Sequence, residues 1–443
     1  MPIDRFFKDF SPQPLEGGDA NYVDLFKVRG DNPINSLKYR LLDAPRGKQH
    51  ILFSGFTGCG KSTELNKLSK HLATEHDFVV VHLDVVEDID PANVSYVDLI
   101  PLAMEKLADA AEKLNIPVDD DLVESIKHWK NSEEIKKIND FTKGAEAEAA
   151  VEGKGSLFWL VKFSGALRSN MRYSQSAKKT ITEIIEPRIS VLIGYCNVLI
   201  REIKANLSNV NKKGLLMVIE NMDKLRKDKA EALFFDNSNI LTALQTNIIY
   251  TFPIALRHSD RNTIISSKFS ESFRLPMVKV FEKDGNYYEP GRKSLKEVIL
   301  KRLENKSDDF ESEELILKFI NKSGGVIRDL FRMLKAAADN ALNNERTLIV
   351  QADYLYAVNR LKSDYEGNLA ERRSDNEEDV IIATEDIYQT LKNLIESKTK
   401  TIDNNLVTLS LLQNMSILGY NGEGWYDVHP IVKDILSNHG KLD

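Results

Sequence analysis

Residues 50–62 read His50-Ile51-Leu52-Phe53-Ser54-Gly55-Phe56-Thr57-Gly58-Cys59-Gly60-Lys61-Ser62, and Thr63 follows. The run 50–54 is short, apolar and β-prone, and it enters a glycine-rich loop. From Thr63 to about Leu72 the leucines at 65, 68 and 72 fall on one face of a helix. Residues 55–62 meet the spacing G-x-x-x-x-G-K-S in full, the Walker A or P-loop pattern. Each part of the pattern has a mechanical task. Gly55, Gly58 and Gly60 let the backbone turn tightly and approach an anion. The N–H groups of Phe56, Thr57, Cys59 and the first helical turn, Thr63 included, point at it. Lys61 brings a positive charge to the β- and γ-phosphates of a bound nucleotide, and the Ser62 hydroxyl is a ligand for Mg²⁺. Cys59 stands at a variable loop position and reads as a tolerated small residue.

Further strands are expected at 78–83, ending at Asp84, at 215–219, at 248–252, and at 277–281. Residues 215–219 (Leu-Leu-Met-Val-Ile) are apolar without interruption, as in a parallel strand buried on both faces. Helical stretches at about 96–114, 120–138 and 174–205 alternate with these strands. That alternation predicts an α/β fold with a parallel sheet. Residues 143–167 are expected to form a hairpin-like insertion, because Gly153-Lys154-Gly155 separates two runs. Helices at about 295–304, 312–322 and 326–342 then follow without strands and predict a helical lid. The charge-rich residues 363–379 read as a linker. The organisation expected is therefore a P-loop core over 1–285 with an insertion at about 140–175, a lid over 286–362, and a small domain over 380–443.

The bulk properties are those of a soluble globular chain. It has 443 residues, 42% hydrophobic and 29% charged, with a net charge of −7. No apolar stretch approaches the roughly 20 residues needed to span a bilayer. Cys59 and Cys196 are the two cysteines, too few for a disulfide framework or a metal quartet, and a reducing, cytoplasmic setting is expected. The negative charge argues against an extended nucleic-acid surface.

A P-loop site needs a carboxylate at the end of a neighbouring strand for the metal shell. Glu220, directly after the 215–219 run, supplies one, so Ser62 and Glu220 are the expected Mg²⁺ residues. The next position commonly carries a glutamate that orients the attacking water. Here it is Asn221, which can hydrogen-bond a water but cannot take its proton. Hydrolysis is therefore expected to be slow.

The assembled residues resemble the AAA+ class, in particular the branch of initiator-type, origin-recognition-like ATPases and the related STAND signalling ATPases. The P-loop at 55–62 carries the resemblance first. Ile219-Glu220-Asn221-Met222-Asp223-Lys224-Leu225 is similar to that class's acidic element. Residues 248–254 resemble its sensor strand, with Thr251 as the polar residue. Ser323-Gly324-Gly325-Val326-Ile327-Arg328-Asp329-Leu330 resembles the start of a lid helix that carries a sensor arginine, here Arg328. The resemblance implies that ATP is the nucleotide, that Glu220, Asn221, Thr251 and Arg328 act in hydrolysis, and that subunits associate. An arginine from a neighbour would complete the site, with Arg257 and Arg261 as candidates. Glu220 and Asn221 depart from the pattern, which usually has Asp and Glu there.

The C-terminal stretch has helical runs at 385–398 and 405–415, and then two β-prone runs flanking Asn421-Gly422-Glu423-Gly424, a strong turn signal. This order resembles a winged helix. Such a module commonly binds DNA, but residues 376–443 hold eleven carboxylates against five lysines and no arginine, a net of −6. A protein contact is the favoured expectation, and a DNA-binding initiator or loader is the alternative. His429 after the second run reads as structural. The function expected is a slow ATPase acting as a nucleotide-controlled switch that drives conformational change or association with itself or a partner protein. By resemblance, such switches serve in bacterial regulation or phage defence.

Overall fold

The computed structural model describes residues 2–90, 92–131, 136–138, 140–142, 156–304, 306–373, 380–420 and 424–442. Five strands form one parallel sheet: β1 (His50–Gly55), β2 (Phe78–Asp84), β3 (Gly214–Glu220), β4 (Asn247–Phe252) and β5 (Glu271–Leu275). Their order across the sheet is β2-β3-β4-β1-β5. The fold is thus the expected α/β type with a P-loop strand near the centre. β1 and β4 are buried throughout, and β3 is buried up to its last residue, Glu220. A strand covered on both faces has no solvent side to pattern, hence the unbroken apolar runs. Successive residues enter different cores: Ile51 and Phe53 join one apolar cluster, and Leu52 between them joins the other. The first core also holds Leu65, Leu68 and Leu72 of the Lys61–Glu75 helix, together with apolar residues of the helices between 289 and 368 and of the C-terminal stretch. The second holds the Tyr96–Lys113 helix and the helices between 156 and 206.

Four sequence expectations are corrected. Residues 156–173 form a helix rather than an arm of a hairpin; Leu160, Phe163, Leu167 and Met171 recur at helical spacing and are all buried. The remainder of that expected insertion, 143–155, lies outside the described residues. The single helix expected over 174–205 is divided into Gln175–Ile185 and Ile189–Asn206, joined by a tight turn at Glu186–Arg188. Pro187 lacks the N–H that continuation requires. The last strand of the sheet is Glu271–Leu275, not 277–281, where Met277 and Phe281 make only isolated bridges; Pro276 ends the ladder between them. The expected linker 363–379 is in part helix, since Gln351–Asn368 runs into it, and Arg372–Arg373 pairs with Val380–Ile382. Residues 374–379 lie outside the described set. Among the described residues no helix is long and apolar enough to cross a membrane.

Helices Glu289–Arg302, Glu313–Lys322 and Ile327–Asn343 follow the sheet, close to the helical stretches expected there. After the Thr384–Glu396 and Leu406–Gln413 helices, strands Ile417–Tyr420 and Trp425–Val428 pair antiparallel, and the Pro430–Asn438 helix closes the chain. The turn residues 421–423 are outside the described set. This C-terminal stretch is tied to the rest of the chain at specific points. Met277 N donates to Gly419 O at 3.2 Å, and Tyr420 Oη donates to Gly324 O at 2.7 Å. Phe56 of the P-loop lies against Gly419, so that a Cβ there would sit 3.1 Å from its ring.

The firmest tie is buried and polar. Asp329, His429 and Asp353 are among the polar residues with no exposed surface. Tyr365 Oη donates to Asp329 Oδ2 at 2.7 Å, and His429 stacks on Tyr365 with its Nε2 3.4 Å from the same oxygen. His429 Nδ1 accepts from Ile431 N, so the ring proton belongs on Nε2, facing the carboxylate. The reading of His429 as structural fits these contacts. Burial alone would raise the Asp329 pKa, but His429 and Tyr365 outweigh it and hold the group below its usual value. A carboxyl whose folded pKa lies below its unfolded value contributes stability that is present above the unfolded pKa, about 3.9, and is lost as pH falls through the folded one. Asp329→Asn should therefore flatten the acid side of the stability–pH curve, as urea unfolding between about pH 3 and pH 6 would show. Asp329→Ala should cost about 1–3 kcal/mol at neutral pH, because it strands the Tyr365 hydroxyl.

Candidate functional site

At the carboxyl ends of the strands, where a parallel α/β sheet opens to ligands, lies a cavity of about 440 Å³. The P-loop forms its floor through Thr57, Gly58, Gly60, Lys61, Ser62 and Thr63. Gly58 and Gly60 have φ of 77° and 100°, and the second caps the Lys61–Glu75 helix. Side chains rarely adopt either angle, which is why glycine is required at these two positions. Gly55, Phe56 and Cys59 belong to the loop but do not line the cavity. They shape it instead: Gly55 and Phe56 offer their carbonyls to Lys61, and Cys59 fills the space behind Gly55.

Lys61 is almost fully buried. Its ammonium donates to Gly55 O at 2.9 Å, Phe56 O at 3.0 Å and Asp223 Oδ2 at 2.8 Å. Three acceptors use its three N–H groups. Burial would lower the Lys61 pKa, but the neighbouring Asp223 charge overcomes this and raises it, so the ammonium stays charged. Thr63 is likewise occupied: its Oγ1 accepts from Leu15 N at 3.1 Å, and Asn66 Nδ2 donates to Leu15 O at 3.1 Å. These bonds staple the segment 12–15 to the P-loop helix and make it one wall of the cavity.

Glu220 and Asn221 line the opposite wall, at the end of β3. Glu220 Oε1 is buried and has no hydrogen-bond partner, while Oε2 lies 3.7 Å from His82 Nδ1. An orphaned carboxylate oxygen in the same cavity as the Ser62 hydroxyl is chemically the kind of donor set a hard cation such as Mg²⁺ would use, with phosphate oxygens and waters completing its shell. Among the described residues no group of three or more His, Cys, Asp or Glu could hold a metal without such outside ligands. Thr251 does not reach the cavity. It is buried in β4, where its hydroxyl accepts from Met222 N at 3.0 Å and so pins the turn after Asn221.

The Glu289–Arg302 and Ile327–Asn343 helices also contribute to lining the cavity. Arg328 lines it, and Arg328 N donates to Gly58 O at 3.4 Å. Val298, Ile327 and Phe331 add apolar surface, and the Arg302 guanidinium lies 4.6 Å from the Phe331 ring centre. The candidate trans-acting arginines lie elsewhere. Arg257 donates to Ser272 Oγ at 2.8 Å, and Arg261 pairs with Asp236 and covers Phe235.

Sequence reasoning missed several residues of this site. Arg29 is fully buried and spans from Pro276 O to Cys59 O, clamping the P-loop from behind. Tyr22 Oη donates to Glu64 Oε2 at 3.1 Å, and burial raises the Glu64 pKa. Asp84, from β2, also lines the cavity. Only Asp84 carried a signal, since it ends a predicted strand next to the P-loop strand in the chain; the others are brought in by tertiary contacts.

Comparison with solved structures returns weak likenesses over nearly the whole chain. Cdc6p from Pyrobaculum aerophilum is 11% identical, with a TM-score of 0.40 over 98% of each chain. The Aeropyrum pernix ORC2 protein in its ADPNP–ADP complexes is 11% identical, with a TM-score of 0.38 over 96% of this chain and 98% of that one. The Aeropyrum pernix ORC1 protein in complex with DNA is 13% identical, with a TM-score of 0.38 over 92% of each chain. No protein-family model matches the sequence, and no curated protein matches it.

Proposed function

We propose that this chain is an ATP-binding ATPase of AAA+/STAND type, slow in turnover, in which nucleotide controls the arrangement of lid and C-terminal stretch. The observation that carries the reading is that P-loop, Glu220 and Arg328 line one cavity. The P-loop would cradle the phosphates, and Arg328 would meet the γ-phosphate. The apolar residues Val23, Leu25, Val298 and Phe331 offer flat surface for the adenine. Ser62 and Glu220 would hold Mg²⁺, which neutralises charge on the β- and γ-phosphates when bound.

Within this reading, residues 1–285 are the core, 286–362 the lid and 380–443 a winged-helix-like module. Arg328 and Asp329 are adjacent, the first on the cavity and the second gripped by Tyr365 and His429. A shift of the lid toward a γ-phosphate would therefore be felt by the C-terminal stretch, which is how a nucleotide switch transmits its state. Arg257 and Arg261 would need to leave their present partners to act on a neighbouring subunit.

The test is ATP titration of the purified protein with and without Mg²⁺, followed by turnover and by mass in solution. Binding that depends on Mg²⁺ is expected. Glu220→Gln should weaken the Mg²⁺-dependent part of ATP binding and lower turnover by roughly tenfold or more, because a neutral amide holds the cation poorly. Absence of ATP binding would overturn the reading. Tight, salt-dependent binding of duplex DNA would favour the DNA-binding initiator instead.

A further inference from the structure

Resting on the ATPase reading, the further question is how a site with asparagine at the water-orienting position could work at all. Asp84 and Glu220 are register partners at the ends of β2 and β3, so Asn221 begins just beyond this pair. Asn221 Nδ2 donates to Asp84 Oδ2 at 2.6 Å, and both residues line the cavity. Asp84 is itself immobilised: its Oδ1 accepts from Val86 N at 2.9 Å and Glu87 N at 3.1 Å, and its own N–H donates to Asp88 Oδ2 at 3.1 Å. The backbone of Asn221 is fixed as well, with φ of 63° and the next residue's N–H held by Thr251.

A carboxylate only accepts hydrogen bonds, and an amide carries donor and acceptor on opposite sides. Asp84 therefore dictates which way the Asn221 amide faces: the NH₂ toward β2 and Oδ1 away from it. We propose that Asp84 is a positioning residue for hydrolysis, turning Asn221 Oδ1 toward the cavity as the acceptor that orients the attacking water. The water oxygen then bonds to the γ-phosphorus while the bond from that phosphorus to the bridging oxygen breaks. The bond's electron pair leaves with ADP. The amide takes no proton, so the water's proton passes to a γ-phosphate oxygen. Positioning alone is a large part of such catalysis.

The test uses the full chain in four forms: wild type, Asp84→Asn, Asn221→Asp, and the two changes combined. Asparagine caps a helix about as well as aspartate, so Asp84→Asn preserves the turn at 85–88. It removes only the compulsion on the Asn221 amide. ATP affinity is expected to stay within about threefold of wild type while kcat falls roughly tenfold or more. Asn221→Asp alone faces one carboxylate with another and should also turn over slowly. The combined exchange restores one donor facing one acceptor and should recover kcat to within a few-fold of wild type. A merely structural role for Asp84 predicts no change in kcat for Asp84→Asn, and that result overturns the proposal. So does an exchange no faster than the single variants, or a wild type that binds ATP without turning it over; this last outcome leaves the nucleotide-binding reading standing. Failure of wild type to bind ATP defeats both.

Discussion

Lys61→Ala should weaken ATP binding by roughly 30- to 1,000-fold, corresponding to the loss of about 2–4 kcal/mol of charge-assisted bonding to phosphate. The geometry adds a second consequence. Lys61 and Asp223 are each about 7% exposed and lie 2.8 Å apart. Deleting the ammonium leaves the Asp223 carboxylate buried without its counter-charge, and removing one partner of such a pair typically costs about 3–5 kcal/mol of stability. The double variant Lys61→Ala with Asp223→Asn should recover much of that stability and none of the affinity. Urea unfolding and ATP titration, run on the same samples, separate the two effects. Unimpaired ATP binding by a folded Lys61→Ala protein would remove the P-loop from the proposed mechanism. The same pair also implies a handover. Phosphates can engage Lys61 only by displacing Asp223 or a carbonyl of Gly55 or Phe56, and displacement of Asp223 would free a carboxylate in the cavity that it lines.

Gly325→Ala should destabilise the protein by about 3–5 kcal/mol. Two causes add. Gly325 has φ of 84°, in the left-handed region where a side chain costs roughly 1–2 kcal/mol. A Cβ there would also stand 1.9 Å from Val278 O, a backbone atom with no rotamer to turn aside. Gly285 offers the control, because its φ is 89° and nothing lies within 4 Å of a Cβ. Gly285→Ala should show the backbone cost alone, so the difference between the two in denaturant midpoint measures the clash. Equal losses would mean that the segment 323–330 stands off from the segment after β5 in solution.

Much of the architecture was legible because its signals are local. The P-loop follows a fixed spacing, and β1, β2, β3 and β4 announce themselves as apolar runs, of which β1, β3 and β4 are covered on both faces. β5 escaped because it is a short edge strand of polar sequence: Glu271, Ser272, Phe273 and Arg274 are half-buried and only Leu275 is fully covered, whereas β2, the other edge, still carries the run Phe78-Val79-Val80-Val81. The more apolar 277–281 looked a better strand, yet Pro276 stands in front of it. The helix at 156–173 was obscured by a Gly-Lys-Gly turn signal that outweighed its own 3.6-residue repeat. At the site, Ser62, Glu220, Asn221 and Arg328 could be named from motif order and do converge on the cavity. Thr251 could be named but not aimed, and it supports the turn from beneath. Arg29 and Asp84 could not be assigned their roles, since one acts through carbonyls far along the chain and the other through a strand register that no local pattern encodes.

The strand order also governs how this chain is made. β1 lies between β4 and β5, yet emerges from the ribosome well before either of its neighbours. At ordinary synthesis rates of about 5–20 residues per second, roughly 10–45 seconds separate the appearance of the P-loop strand from that of β5. For that interval an apolar, β-prone segment carrying the nucleotide motif has no native edge to pair with. Holdase chaperones that accept nascent apolar strands should therefore determine its yield in the cell, and codon choice between residues 55 and 247 should matter more to soluble expression than codon choice after residue 275.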